Sequence, residues 1–291
     1  MQTALSSAEP FHCLHRITSY RMNWLPGFVF LIYWTTATAQ KQHLFLIAGQ
    51  SNAVGQGTAA QSVICSPGIA LAYRASTDSL VTLADPFGER VGHFEQASTG
   101  SIAPAFAQEF HRVTGDRVVL LSAARGGASC DQRAELGNYG TWAETGKLPL
   151  LQEAVANTKR AMQKTGLPLS GIIWLQGERD ANAIADTLMT GTDYLNALLD
   201  VIHRFREGFG RTVPVYIVQT GYQAGRTTTG SDAVRAAQLA ATQRLPKTYV
   251  VYQETNAFAK RGWMKDFVHY NQTGLNDIGQ KTARFVGKHL N

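Results

Sequence analysis

The sequence predicts an α/β fold, with one doubly wound domain built around a five-stranded parallel sheet. Three observations predict it. Five short runs are apolar almost throughout rather than alternating, as strands covered on both faces are. Apolar residues spaced by three and four occupy several of the segments between them. Strand and helix alternate to the end of the chain, with no internal repeat and no Pro, Gly and Ser linker to divide it. The composition, 44% hydrophobic and 16% charged, is that of a globular chain and not of a disordered one.

The first 39 residues stand apart. Arg16 and Arg21 precede the apolar run Trp24 to Trp34 (WLPGFVFLIYW), which leads into Ala37-Thr38-Ala39. A basic stretch, a short apolar core and small residues in that order mark a secretory signal peptide, here 1–39, and predict a secreted or periplasmic protein. Met22 is an alternative start. The run is well short of the roughly 20 residues a membrane-spanning helix needs, so no membrane span is expected after cleavage. The domain expected beyond it covers 40–291.

The predicted strands come next, in order: HLFLIAG at 43–49, RVVLLSAA at 117–124, GIIWLQG at 171–177, VPVYIVQT at 213–220 and TYVVYQE at 248–254. Helical spacing joins Leu150, Leu151, Ala154, Val155, Ala161 and Met162. It joins Tyr194, Leu195, Leu198, Leu199, Ile202 and Phe205 in a second segment, and Val234, Ala237, Ala240 and Ala241 in a third. In the tail Ile278, Thr282, Phe285, Val286 and Leu290 share a face, although Gly279 and Gly287 weaken that pattern. The stretch from Thr58 to Ala103 is weakly periodic and reads as loops and short rim elements.

The net charge of +6 is spread without a lysine or arginine run, so nucleic acid is not an expected partner. Cys65 and Cys130 remain after the signal as an even pair, and in an oxidising compartment a disulfide between them is expected. There is no CxxC or HExxH spacing, and no metal or cofactor is expected.

In open α/β sheets, sites form at the carboxyl ends of the strands. The first strand ends in Gly49-Gln50-Ser51-Asn52, which holds a serine at a strand-to-helix turn beside helix-start N–H groups. Ser51 is therefore the candidate nucleophile, against the simpler role of a helix cap. A serine needs a base. Among His43, His93, His111, His203, His269 and His289, the fifth stands out in Asp266-Phe267-Val268-His269-Tyr270-Asn271. There Asp266 can bond one imidazole nitrogen, fix the tautomer and leave the other for Ser51. Oxyanion donors are sought at the Ser51 N–H, in Ala124-Arg125-Gly126-Gly127, and at Gln176 of Trp174-Leu175-Gln176-Gly177-Glu178-Arg179-Asp180. Glu178, when ionised, only accepts hydrogen bonds, so with Gln50, Asn52 and Arg125 it is read as a supporting or substrate-facing residue.

Four blocks together, GQSN at 49–52, ARGG at 124–127, WLQGERDA at 174–181 and DFVHYN at 266–271, resemble the carbohydrate-esterase branch of the SGNH hydrolases, including sialate O-acetylesterase-like and acetylxylan esterase-like proteins. The resemblance implies a three-layer, flavodoxin-like α/β/α hydrolase that removes acetyl groups from carbohydrates through an acyl-serine. By position, Ser51 matches the nucleophile, His269 the base and Asp266 its partner. Gly126 or Gly127 and the Gln176 to Glu178 block match the regions shaping the oxyanion hole. The wider group has an asparagine in its third block where this chain has Gln-Gly-Glu, which leaves Gln176 as the choice there. An α/β-hydrolase is a poorer match, because Ala53 stands where Gly-x-Ser-x-Gly needs its last glycine. Two rivals remain at this stage. One is a glycan-binding module without catalysis, with Trp142, Tyr139 and Tyr222 as stacking residues. The other is an aryl or lipid esterase on the same fold. Arg125 and Arg179 would suit an acidic sugar, with surface pairing the simpler role.

Overall fold

The computed structural model describes residues 40–290; the signal-peptide expectation falls outside the described residues. Seven strands form one sheet in the order β3-β2-β4-β1-β5-β6-β7. They are β1 (Gln42–Gly49), β2 (Ala70–Arg74), β3 (Ser79–Thr82), β4 (Arg117–Ala124), β5 (Leu169–Leu175), β6 (Val215–Val218) and β7 (Thr248–Tyr252). All five predicted strands are present, side by side and parallel, as β4-β1-β5-β6-β7. The five-strand count needs correction. β2 pairs parallel with β4, and β3, at the edge of the sheet, pairs antiparallel with β2. Both lie in the weakly periodic 58–103 stretch. At five and four residues they are too short to show a period.

The helices are α1 (Ser51–Val54), α2 (Ala103–Thr114), α3 (Leu151–Thr165), α4 (Glu178–Ala185), α5 (Gly191–Phe209), α6 (Thr229–Arg244), α7 (Phe258–Arg261) and α8 (Gln272–His289). Successive strand residues face opposite sides of a sheet, and the core divides on that alternation. Leu44, Leu46 and Ala48 of β1 join Trp174 and the α3, α5 and α6 side chains on one face. Phe45 and Ile47 join Phe106, Phe110, Ile278 and Val286 of α2 and α8 on the other. Two faces buried by helices explain why these strands read as unbroken apolar runs.

The same division corrects the disulfide expectation. Cys130 is buried in the core of the first face, whereas Cys65 packs against that of the second, and both thiols are free. The sheet lies between them. Among the described residues no helix is long and apolar enough to cross a membrane, and no group of three or more His, Cys, Asp or Glu is placed to hold a metal ion.

Helix ends are set by local chemistry. Thr190 and Asp193 form a reciprocal capping box at the start of α5. Asn271 caps α8 by accepting from the Gly274 N–H, so the final block of the sequence runs straight into a helix start. After β1 the chain builds β2, β3 and β4 on one side and then crosses to β5 on the other. The carboxyl end of β1 is thus the switch point where this topology forms a crevice.

Candidate active site

Gly49 ends β1 with φ of 143°, and a Cβ there would lie 1.9 Å from the Leu175 carbonyl oxygen. Only glycine allows the turn to press this closely on β5. Gln50 follows, and its Oε1 accepts from the N–H groups of Gly177 (3.2 Å) and Arg179 (3.3 Å), tying the β1 turn to the start of α4. Ser51 then opens α1 and is 7% exposed. As a first-turn residue it has no intrahelical acceptor for its N–H.

A cavity of about 480 Å³ lies over this turn, lined by Ser51, Gly126, Gly127, Glu178 and His269, with Glu95, Tyr139, Gln223 and Phe267 around them. Residues 51 and 269 therefore share one pocket. Asn52 holds them there. Its Oδ1 accepts from the Tyr270 N–H at 3.1 Å, and its Nδ2 donates to the Val268 carbonyl at 3.3 Å, so one side chain grips the backbone on both sides of His269. The same Nδ2 donates to Glu178 Oε1 at 2.7 Å.

Asp266 Oδ2 lies 2.8 Å from His269 Nδ1, and Oδ1 accepts from the backbone N–H groups of Val268 and His269. Partial burial works against the charge on Asp266, but these three hydrogen bonds outweigh it and hold the carboxyl below its ordinary pKa. An ionised acceptor on Nδ1 leaves Nε2 as the nitrogen free to take a proton. Among the described residues Ser51 Oγ makes no hydrogen bond to His269; contacts of this kind often tighten only in the enzyme–substrate complex.

The Gly126-Gly127 turn after β4 also reaches the cavity, with its two N–H groups in different states. The Gly126 N–H donates to Glu95 Oε2 at 3.1 Å, whereas the Gly127 N–H has no acceptor among the described residues. Glu95 was not singled out in the sequence, because it lies in the weakly periodic stretch with no motif around it.

One sequence expectation needs revision here, and that for Arg125 narrows to a supporting place. Gln176 does not line the cavity; its amide donates to the Ala128 carbonyl at 3.1 Å and to Asp180, and it is 1% exposed. Asp180 draws it inward. That carboxylate also accepts from the Cys130 and Asp131 N–H groups, and burial, opposed by those bonds, raises its pKa to about 6. Arg125 is likewise turned away. It donates to the carbonyls of His93 and Asn138, both at 2.7 Å, and so clamps two loops that rim the site. Glu178 lines the cavity and holds Asn52. It is 4% exposed, burial raises its pKa against the Asn52 hydrogen bond, and its Oε2 has no partner among the described residues.

The remaining candidates separate cleanly. Trp142 is wholly buried in the core beside Trp174 and Phe205, and Tyr222 donates to Asp232 Oδ1 at 2.7 Å outside the cavity. Only Tyr139 of the three aromatic candidates lines the cavity. His111 and His203 sit on α2 and α5, away from the cavity.

The fold recurs in known structures. The chain is similar to an Arabidopsis thaliana protein at 20% identity, covering 87% of this chain and 100% of that one, with a TM-score of 0.66. It is similar to NanS at 14% identity over 86% and 97% of the two chains, with a TM-score of 0.60. A structure described as a novel carbohydrate acetylesterase from Xanthomonas citri aligns at 18% identity and a TM-score of 0.51, over 84% of this chain and 56% of that one. At such identities these likenesses carry the fold. Compared by sequence with the curated proteins, the chain matches none. The sequence model for "Carbohydrate esterase, sialic acid-specific acetylesterase" matches residues 41–288, the whole of the sheet and all but the last residue of its helices. With four motif blocks meeting at one sheet edge and a family match spanning the domain, the chain belongs to the carbohydrate esterase, sialic acid-specific acetylesterase family, hydrolases that act on acetyl esters.

Proposed function

We propose that this protein is a secreted serine esterase that removes acetyl groups from carbohydrates through an acyl-serine intermediate. The observation that carries the reading is the grip of Asn52, one residue after Ser51, on both backbone neighbours of His269, which keeps hydroxyl and imidazole on one pocket. The family description and the activity named for the Xanthomonas citri structure support an acetylated sugar as substrate. The basic and apolar pattern before Ala39 supports export.

In the proposed cycle Ser51 Oγ attacks the acetyl carbonyl while His269 Nε2 takes its proton, and Asp266 stabilises the imidazolium through Nδ1. The N–H groups of Ser51 and Gly127 receive the tetrahedral oxyanion. The Gly126 N–H joins them once Glu95 swings off it, since a carboxylate and an oxyanion cannot share one donor. Collapse expels the sugar alcohol with the proton held by His269. Water then attacks the acetyl-serine with His269 as base, and acetate leaves as His269 returns the proton to Ser51 Oγ.

Ser51→Ala is expected to fold with an unchanged circular-dichroism spectrum and to lose acetate release from acetylated sugars by at least about a thousandfold. Acetate release at the wild-type rate from that variant would remove Ser51 from its role.

A further inference from the structure

Tyr139 and Phe267 are 47% and 61% exposed, and they are the only aromatic residues among the large exposed hydrophobic side chains of the described residues. Both line the cavity of Ser51 and His269. Large aromatic rings are usually withdrawn from water, and the other aromatic side chains of the described residues are buried or half-buried. Their coincidence at one cavity calls for a ligand face that covers them.

They reach the cavity from two different loops. Phe267 belongs to the loop carrying Asp266 and His269, and its carbonyl accepts from the Ala224 N–H at 2.8 Å. The Tyr139 ring lies over Gly127, so close that a Cβ on that glycine would meet Tyr139 Cγ at 2.7 Å. Its loop is fastened by the Arg125 bond to the Asn138 carbonyl. Gln223 lines the same cavity. Gln223 is 7% exposed and donates through Nε2 to the Glu178 carbonyl, while its Oε1 is buried without a partner among the described residues. A carbonyl oxygen left in that state seeks a donor.

On the esterase reading of the site, we propose that Tyr139 and Phe267 form the platform for the leaving group, and that the group they select is a pyranose ring with a free hydroxyl donating to Gln223 Oε1. A pyranose presents apolar C–H faces that stack on aromatic rings, and hydroxyl donors at its edge. A lipid alcohol has neither the flat face nor the edge donors. An aryl alcohol stacks but offers nothing to Gln223.

The test compares two acetyl esters. One is the mixture of mono-O-acetyl isomers of methyl glucopyranoside, which presents the ester at each ring position; the other is ethyl acetate, whose alcohol cannot stack. Phe267→Ala and Tyr139→Leu are each expected to lower kcat/KM on the sugar ester by about tenfold, mainly through KM, and to leave ethyl acetate within about twofold. Tyr139→Phe keeps the ring and is expected to keep the sugar activity. Gln223→Leu is expected to weaken the sugar ester alone. Equal losses on both esters would assign these residues to the shape of the catalytic turn, and unchanged sugar kinetics would leave the rings without a role; either result overturns the proposal. Should the wild type release acetate from ethyl acetate but not from the sugar, the platform fails while the esterase reading stands. Release from neither ester would sink both.

Discussion

Asn52 is where the local order of the chain becomes the geometry of a site. Its three hydrogen bonds join the serine turn, the histidine loop and the buried Glu178. Asn52→Ala would leave Ser51 and His269 in the chain but loosen the spacing between them, and misplacements of about 1 Å cost roughly a hundredfold in rate. We expect kcat to fall by between about ten- and a hundredfold with a smaller change in KM. Steady-state kinetics on an acetylated sugar check this, and a kcat equal to that of the wild type would show that other contacts hold the loop. The candidate triad was legible because each of its residues sits at a strand end or beside a partner close in sequence, as Asp266 sits three residues before His269. Glu95 and Gln223 were not, since a single polar residue in a loop carries no period and no spacing. Gln176 misled for a different reason. Its amide was the right chemistry in the right block, yet Asp180, four residues on, offers it a buried carboxylate.

Among the elements, α2 and α8 pack together over the second face of the sheet, and their charges meet at Glu109. Its carboxylate accepts two 2.7 Å bonds from Arg112 on its own helix and a third from Arg284 on α8. The Arg112 bonds, opposed by burial and helped by Arg284, hold the Glu109 pKa at about 2 against an ordinary 4.5. A lowered carboxyl stabilises the fold fully above its unfolded pKa and loses that effect as pH falls through the folded value. Glu109→Gln should therefore cost about 1–2 kcal/mol at neutral pH. The gap from wild type should hold down to about pH 4.5 and close towards pH 2. Thermal melts across that range measure it, and a gap as wide at pH 2.5 as at pH 7 would contradict the assignment. The same helix pair explains an ambiguity of the sequence. Gly279 weakens the apolar pattern of α8, but a Cβ there would come within 2.6 Å of the Ile102 carbonyl oxygen beside α2. The glycine lets the helices close. Strands built from long apolar runs were readable; β2 (ALAYR) and β3 (SLVT) were not, because neither lies in such a run.

At the scale of the whole molecule, the switch point of the sheet brings Gly49–Asn52, the Gly126-Gly127 turn, Glu178 and the 266–271 loop to one edge, although they span most of the described chain. The order of the four blocks announced the family, while the sheet settled what spacing cannot, including the fate of Cys65 and Cys130 on opposite faces. The central claim is that this edge makes Ser51 a nucleophile through His269. A fluorophosphonate tests it directly, since attack by the serine oxygen forms a P–O bond, expels fluoride and leaves a stable adduct that peptide mass spectrometry can place. The account predicts one adduct per chain, on the peptide carrying Ser51, formed at least about a hundredfold more slowly in His269→Ala. An adduct on any other residue, or a protein that releases acetate while Ser51 stays unlabelled, would contradict it.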